Sequence, residues 1–327
     1  MARNLIRCGY GRLLDASILF SFDRSGYHRH AARFGPAELD LDLTGRVCLV
    51  TGANSGIGLQ TSLVLAERGA TVWMLCRDPQ RGRQAARDVR RRTGSRRVRL
   101  GLLDISDLDA VRDFARGLTA PHVDVLVHNA GVLPDSRVLS PQGHELTLAT
   151  HVLGPWLLTH ELLPKLRAST GARIVFVSSG GMYTQRLSLD DVEWHRRPYD
   201  GVTAYAQTKR MQVSMAQLLA EDPGFAGIRV HAMHPGWADT PAVRTSLPRF
   251  WQAMQGRLRT PAQGADTVIW LASSAAGGGS TGQFWFDRAP RSPHLLPWTR
   301  ESAADRAALR AFCERQAAAR ARRKQAV

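Results

Sequence analysis

From residue 46 onward, short apolar runs alternate with longer stretches whose apolar positions recur every three or four residues. Val47 to Val50, Thr71 to Cys76, Arg97 to Leu103, Val123 to Val127, Ala172 to Ser178, Ile228 to Met233 and Gln283 to Phe286 predict seven strands. Helical spacing follows the glycines of 52–58 as far as Arg68, and covers 79–92, 107–118, 143–168, 203–220 and 261–273. Alternation at this pace requires right-handed crossovers. The fold class is therefore α/β, a doubly wound parallel sheet with helices on both faces. The ends depart from the rhythm. Residues 1–44 carry no strand pattern, but Leu5, Ile6, Leu13, Leu14, Ile18, Leu19 and Phe20 recur roughly at helical spacing beside basic residues. An amphipathic helix of this kind can make a peripheral contact with a membrane surface or pack on the body of the protein. Residues 291–327 end in an Ala- and Arg-rich stretch that predicts a basic helix. The organisation is one domain over 45–290 with helical extensions, 1–44 and 291–327.

Composition narrows the class. Of 327 residues, 44% are hydrophobic and 22% charged, which excludes a disordered chain. No run of about 18 apolar residues predicts a membrane-spanning helix. The net charge of +16 is carried almost wholly by arginine, because Lys165, Lys209 and Lys324 are the only lysines. The basic runs Arg81 to Arg99 and Arg315 to Lys324 lack the interleaved aromatics that single-strand binding uses. They read as solvated faces rather than a specific nucleic-acid site. Cys8, Cys48, Cys76 and Cys313 form no C-x-x-C pair, which argues against zinc or redox motifs. Cys48 and Cys76 fall in core-strand runs, as expected of a reduced, cytoplasmic chain.

Chemistry enters at the first strand–helix junction. Thr51-Gly52-Ala53-Asn54-Ser55-Gly56-Ile57-Gly58 lets the backbone turn tightly and bring a pyrophosphate to a helix N-terminus. The spacing is T-G-x-x-x-G-x-G. In order there follow Asn129-Ala130-Gly131 after the fourth strand, Ser178-Ser179 after the fifth, Tyr205-Ala-Gln-Thr-Lys209 on a helix, and Pro235-Gly236 with Thr240 after the sixth. Together these motifs resemble the short-chain dehydrogenase/reductase family over about residues 45–290. The resemblance implies a Rossmann-type fold, a nicotinamide cofactor and a small-molecule carbonyl or alcohol as substrate. It also implies homo-oligomers formed through helices flanking the active site, unless the extensions block or replace that interface.

Tyr205 and Lys209 are four apart and share a helix face. A neighbouring ammonium favours the phenolate, which lets Tyr205 exchange a proton with a substrate oxygen near neutral pH. By resemblance Ser179 orients that oxygen, with Ser178 as the alternative. His151 stands where the family carries an Asn that holds a relay water. Its ring can serve in the relay or simply pack. The stretch between Ser179 and Tyr205, which stand 26 positions apart, includes Trp194, His195 and Tyr199, expected in a substrate-side loop. Arg77, 19 residues past Gly58, sits where an Arg accommodates a 2′-phosphate, so NADP(H) is the expected cofactor. By resemblance Asp104 contacts the adenine and Thr240 the carboxamide. Asn129, Ala130, Gly131, Pro235 and Gly236 line the same cofactor site, with Tyr205 and Lys209 contacting it too. Trp237, Leu247, Phe250, Trp251 and Met254 form an apolar set suited to a lipophilic substrate. A sensor or scaffold that binds NADP(H) without turnover is the competing expectation.

Overall fold

The computed structural model describes Leu14 and residues 17–35, 38–39 and 41–318. Leu5, Ile6, Cys8 and Leu13, and the basic run beyond Ala318, lie outside the described residues. The strands are β1 (Val47–Thr51), β2 (Thr71–Cys76), β3 (Val98–Leu102), β4 (Val125–His128), β5 (Arg173–Val177), β6 (Arg229–His234), β7 (Phe284–Phe286) and β8 (Ala289–Pro290). They form one sheet in the order β3-β2-β1-β4-β5-β6-β7-β8. Every pairing is parallel except the last, in which the two-residue β8 folds back on β7 and adds an eighth strand to the seven expected. β1 pairs with β2 on one side and β4 on the other, so successive crossovers leave in opposite directions there. Such a reversal opens a crevice beyond the carboxyl ends of the strands.

Both faces are covered, as buried strands demand. On one face lie α3 (Gly56–Glu67), α4 (Pro79–Thr93) and α11 (Pro261–Ser273), packed through Leu63, Val89 and Trp270 onto Cys48, Val50 and Met74. On the other lie α5 (Leu108–Gly117), α6 (Gly154–Glu161), α7 (Leu163–Arg167) and α8 (Gly201–Glu221), packed against Leu49, Leu126 and Phe176. The remaining helices are α1 (Ile18–Phe22), α2 (Arg24–Ala31), α9 (Pro241–Ser246), α10 (Pro248–Ala253) and α12 (Ala303–Ala318). In α12, Leu309 and Cys313 are buried in the same core, and Arg310 donates to Leu218 O of α8 at 3.1 Å. The C-terminal extension thus lies over α8.

Two expectations need correction. The single helix over 143–168 is instead a helical turn at Leu146–Leu148, a π-helical turn at Ala149–Leu153, and then α6 and α7. Gly154 packs so tightly under Ile105 that a Cβ would stand 1.8 Å from its carbonyl oxygen. Pro155 and Pro164 each lack an N–H and interrupt the ladder. The second correction concerns the N-terminal pattern, which in the described residues is two short helices broken at Asp23. The Asp23 carboxylate accepts from Gly26 N at 3.1 Å and from Ser25 Oγ at 2.6 Å, which restarts the chain as α2. Phe22 is buried in the core, so residues 17–31 pack on the body of the protein. Among the described residues no helix is long and apolar enough to cross a membrane.

Candidate active site

The glycine turn begins where β1 stops. Gly52 and Gly56 take φ of 64° and 55°, the left-handed region that a side chain disfavours. Gly58 has no room for a side chain, since a Cβ would stand 2.4 Å from Asn129 Nδ2 and 2.5 Å from Gly52 O. Asn54, Ser55 and Ile57 are half-buried along the turn. Ser55 precedes α3 but makes no side-chain cap, so no hydroxyl closes off the first-turn N–H groups. An open, positive helix end behind a side-chain-free turn fits a pyrophosphate.

Asn129 acts as a clip beneath this turn. Its Nδ2 donates to Thr51 O at 2.9 Å, while the Asn129 and Ala130 N–H groups donate to Thr51 Oγ1 at 2.9 and 3.0 Å. Thr240 closes the turn from above, with its Cγ2 3.1 Å from a Cβ placed on Gly56. Its Oγ1 also accepts from Val243 N at 3.3 Å, capping α9. Arg77 is exposed at the end of β2 and has no hydrogen bond or ion pair among the described residues. The neighbouring Asp78 is committed elsewhere: its carboxylate caps α4 by accepting from Arg81 N at 2.9 Å. Asp104, half-buried after β3, accepts from Ser106 N and Oγ at 2.9 and 2.7 Å.

The candidate proton-handling groups meet on the other side of the crevice. α8 starts at Asp200, whose side chain accepts from Thr203 N, and carries Tyr205 and Lys209 on one face. Ser178 and Ser179 have separate tasks. Ser178 is buried and donates to Lys209 O at 2.8 Å, fastening α8 to β5. Ser179 is half-buried, its Oγ accepts from Gly181 N at 3.3 Å, and its hydroxyl acts to lower the Tyr205 pKa, so it is the serine that faces the phenol. Lys209 is buried, with Nζ donating to Val177 O at 2.8 Å and to Gln212 Oε1 at 3.0 Å. Its Nζ lies 5.4 Å from the centre of the Tyr205 ring. Burial pushes Lys209 down to about 7. Burial also raises Tyr205 to about 12, against the opposing pull of Ser179. Burial of the phenol thus acts opposite to the lowering that the Tyr205–Lys209 spacing predicts, and Ser179 opposes it only in part.

His151 sits edge-on to Tyr205, ring centroids 5.3 Å apart. Thr208 Oγ1 donates to backbone carbonyls of α8, so His151 Nδ1 donates to Thr208 Oγ1 at 2.8 Å. Nε2 then accepts from Val132 N at 3.1 Å, next to Gly131. Burial first, and Lys209 second, hold its pKa well below the usual imidazole range. The ring is thus neutral with both nitrogens occupied. His128 is likewise buried, stacked on Phe176 and bonded to Thr159 Oγ1 at 2.8 Å.

The apolar set gathers beside the crevice and gains a member that the sequence did not suggest. Trp237 packs edge-on to Phe250 at 5.3 Å and to Phe22 of α1 at 5.8 Å. The Phe22 ring also lies against Gly180, where a Cβ would meet Phe22 Cε2 at 2.5 Å. That places α1 next to Ser179. A buried Arg259 holds α1 there. Its Nε donates to Phe22 O and Asp23 O, and Nη2 to Ser21 O. The same guanidinium grips Asp287 at 2.6 and 2.8 Å, and a side chain at Gly236, after Pro235, would collide with it. The stretch between Ser179 and Tyr205 packs inward. Trp194 is buried under the Arg197 guanidinium at 3.8 Å, and Tyr199 Oη donates to Glu145 at 3.0 Å. Gln212, Arg259 and Phe22 are the residues that sequence reasoning missed. Only Gln212 carried a local signal, as a polar residue one turn past Lys209.

Comparison with known proteins agrees with this arrangement. Residues 46–249 match the family model described as short chain dehydrogenase. The chain is 42% identical to human "Dehydrogenase/reductase SDR family member 12" over 86% of its own length and 88% of the relative's. It is 36% identical to human "Retinol dehydrogenase 11" over 70% of this chain and 73% of that one. A putative short chain dehydrogenase from Escherichia coli CFT073, solved with NADPH, superposes with a TM-score of 0.62 at 28% identity, covering 76% of this chain and 98% of the other. A matched family model, ordered motifs and one crevice that gathers them lead to a single assignment: the chain belongs to the short-chain dehydrogenase/reductase family of oxidoreductases.

Proposed function

We propose that the protein interconverts a carbonyl and an alcohol with NADP(H), acting on a lipophilic small molecule. The observation that carries the reaction class is the convergence of Ser179, Tyr205 and Lys209 beside the glycine turn at the strand-order reversal. The residues that would hold the cofactor are Gly52 to Gly58, Arg77, Asp104, Thr240 and Lys209. Bound there, the nicotinamide supplies or accepts the hydride. Ser179 orients the substrate oxygen, and Tyr205 Oη gives it a proton in reduction or takes one in oxidation. Lys209, charged, stabilises the phenolate that remains after the proton leaves.

The preference for NADP(H) rests on the unequal state of two neighbours. Arg77 is free to take a phosphate, while the Asp78 carboxylate that could take a 2′-hydroxyl is already used as a helix cap. Its support from relatives is the NADPH-bound structure. The lipophilic substrate class is supported by the Phe22–Trp237–Phe250 wall and by a relative named for retinol. The test is fluorescence titration of the purified protein with NADPH and NADH. Affinity for NADPH at least about tenfold higher, ~1.4 kcal/mol, is the expected result. Equal affinities would overturn the role given to Arg77.

A further inference from the structure

We propose that Gln212 is a positioning residue for Lys209, tying its ammonium to the π-helical turn through a carboxamide bridge. Gln212 is fully buried on α8, one turn beyond Lys209. Its Oε1 accepts from Lys209 Nζ at 3.0 Å, and its Nε2 donates to His151 O at 3.0 Å. That carbonyl sits where the α-helical ladder fails for a reason written in the chain. In a regular helix it would accept from the N–H four residues on, but that residue is Pro155, which has none. A buried carbonyl without a partner is costly, and so is a buried ammonium. The Gln212 amide has one acceptor and one donor group and satisfies both at once.

The groups that face Lys209 make this bridge matter. On its own helix there is Tyr205. Across from it are the neutral His151, the Val177 carbonyl of β5, and Gly131, where a Cβ would stand 3.8 Å from Nζ. No carboxylate pairs with Lys209 among the described residues, so neutral acceptors alone support its charge. Val177 O and Gln212 Oε1 are two of them, and Gln212 is the one a substitution can remove.

The role in turnover rests on the proposed oxidoreductase reading, but the bridge can be tested without turnover. Only three lysines occur, so ¹³Cε-lysine labelling of the full chain gives three resolvable signals, and K209M assigns one. Gln212→Met keeps the volume and removes the acceptor. The Lys209 midpoint is expected to fall by about one pH unit while the other two lysines stay put. Gln212→Glu supplies an anionic acceptor, and the midpoint is expected to rise. It also keeps the question open if Gln212→Met fails to fold. An unchanged Lys209 midpoint in either folded variant would overturn the proposal. If the wild-type protein binds no nicotinamide cofactor, the oxidoreductase reading fails while the titration still decides the bridge. Where a reducible aldehyde is found, Gln212→Met should lower kcat far more than it changes KM. A loss shared equally by both, with an unmoved midpoint, would mark a merely structural role.

Discussion

Replacing Arg259 with Met should release the N-terminal helices from the substrate side of the crevice. The wild-type guanidinium is fully buried and spends its donors on the two Asp287 oxygens and on the carbonyls of Ser21, Phe22 and Asp23. Burial works to raise the Asp287 pKa, but bonds from His30 and Arg259 outweigh it and hold the carboxylate below its usual range. Removing Arg259 leaves that anion buried with His30, at 2.6 Å, as its remaining partner. Breaking a buried pair from one side typically costs about 3–5 kcal/mol. The damage is focused on α1 and α2, because three of the lost bonds end on them. Hydrogen exchange over residues 17–31 is the direct assay, and protection there should fall by roughly 10²–10³-fold. The double variant R259M/D287L removes both charges and should recover part of the loss, since an apolar pair of similar volume has no ion to strand. Because Phe22 leans on Trp237 and Gly180, R259M should also raise KM for an apolar aldehyde. Protection of 17–31 within threefold of wild type would refute the reasoning, for it would mean that apolar packing of Phe22 alone seats the segment.

Other outcomes follow from the same geometry. Tyr205→Phe should lower turnover by about 10²–10⁴-fold while NADPH binding, followed by fluorescence, stays within a few-fold of wild type. Retained function in that variant would favour a sensor. Arg77→Ala should narrow the NADPH-over-NADH preference by about tenfold without changing the melting temperature, as befits an exposed residue with no partner among the described residues. Lys209 gives a pH signature in the free protein. Its folded value of about 7 lies below the ordinary 10.5, so the unfolded chain binds more protons between those limits and stability rises with pH across that window. The cost of the buried ammonium is full below about pH 7 and gone above 10.5. The difference in melting temperature, K209M minus wild type, should therefore be largest near pH 6 and shrink by pH 9. A pH-independent difference would show that Lys209 keeps its ordinary pKa when folded.

The sheet was legible because its strands are buried on both faces, which writes them as unbroken apolar runs such as Val47 to Val50 and Ile174 to Val177. The glycine turn and the Tyr205–Lys209 pair were legible for a related reason: each is a local pattern within one element. What the sequence hid were contacts between distant segments. Nothing near Phe22 announces that its carbonyl meets Arg259, 237 residues away. Nothing near Gln212 points to His151, 61 residues back, although Pro155 marks where the α-helical donor to that carbonyl is missing. The two-residue β8 is too short for any periodicity. The pKa pattern was hidden too. Spacing alone sets an ammonium beside a phenol and predicts a lowered tyrosine, but burial acts on both groups and reverses the sign for Tyr205.

These hidden contacts share a consequence for how the site is built. Residues 17–31 lie outside the segment that matches the family model, yet Phe22 touches the residue after Ser179 and shares an edge with Trp237. The boundary near residue 45 is a boundary of the sheet and of the dinucleotide turn. It does not bound the apolar wall beside Ser179, which Phe22 from before the sheet builds together with Trp237 and Phe250 from after β6. These segments are joined through Arg259 and Trp237, whose backbones are themselves paired: Trp237 N donates to Phe22 O and Arg259 N to Trp237 O. Substrate selectivity in this chain is therefore expected to depend on the extension as much as on the ordered motifs. Exchanging α1 for another apolar sequence, with Arg259 and the glycine turn untouched, should change which aldehydes are reduced while leaving NADPH affinity where it was.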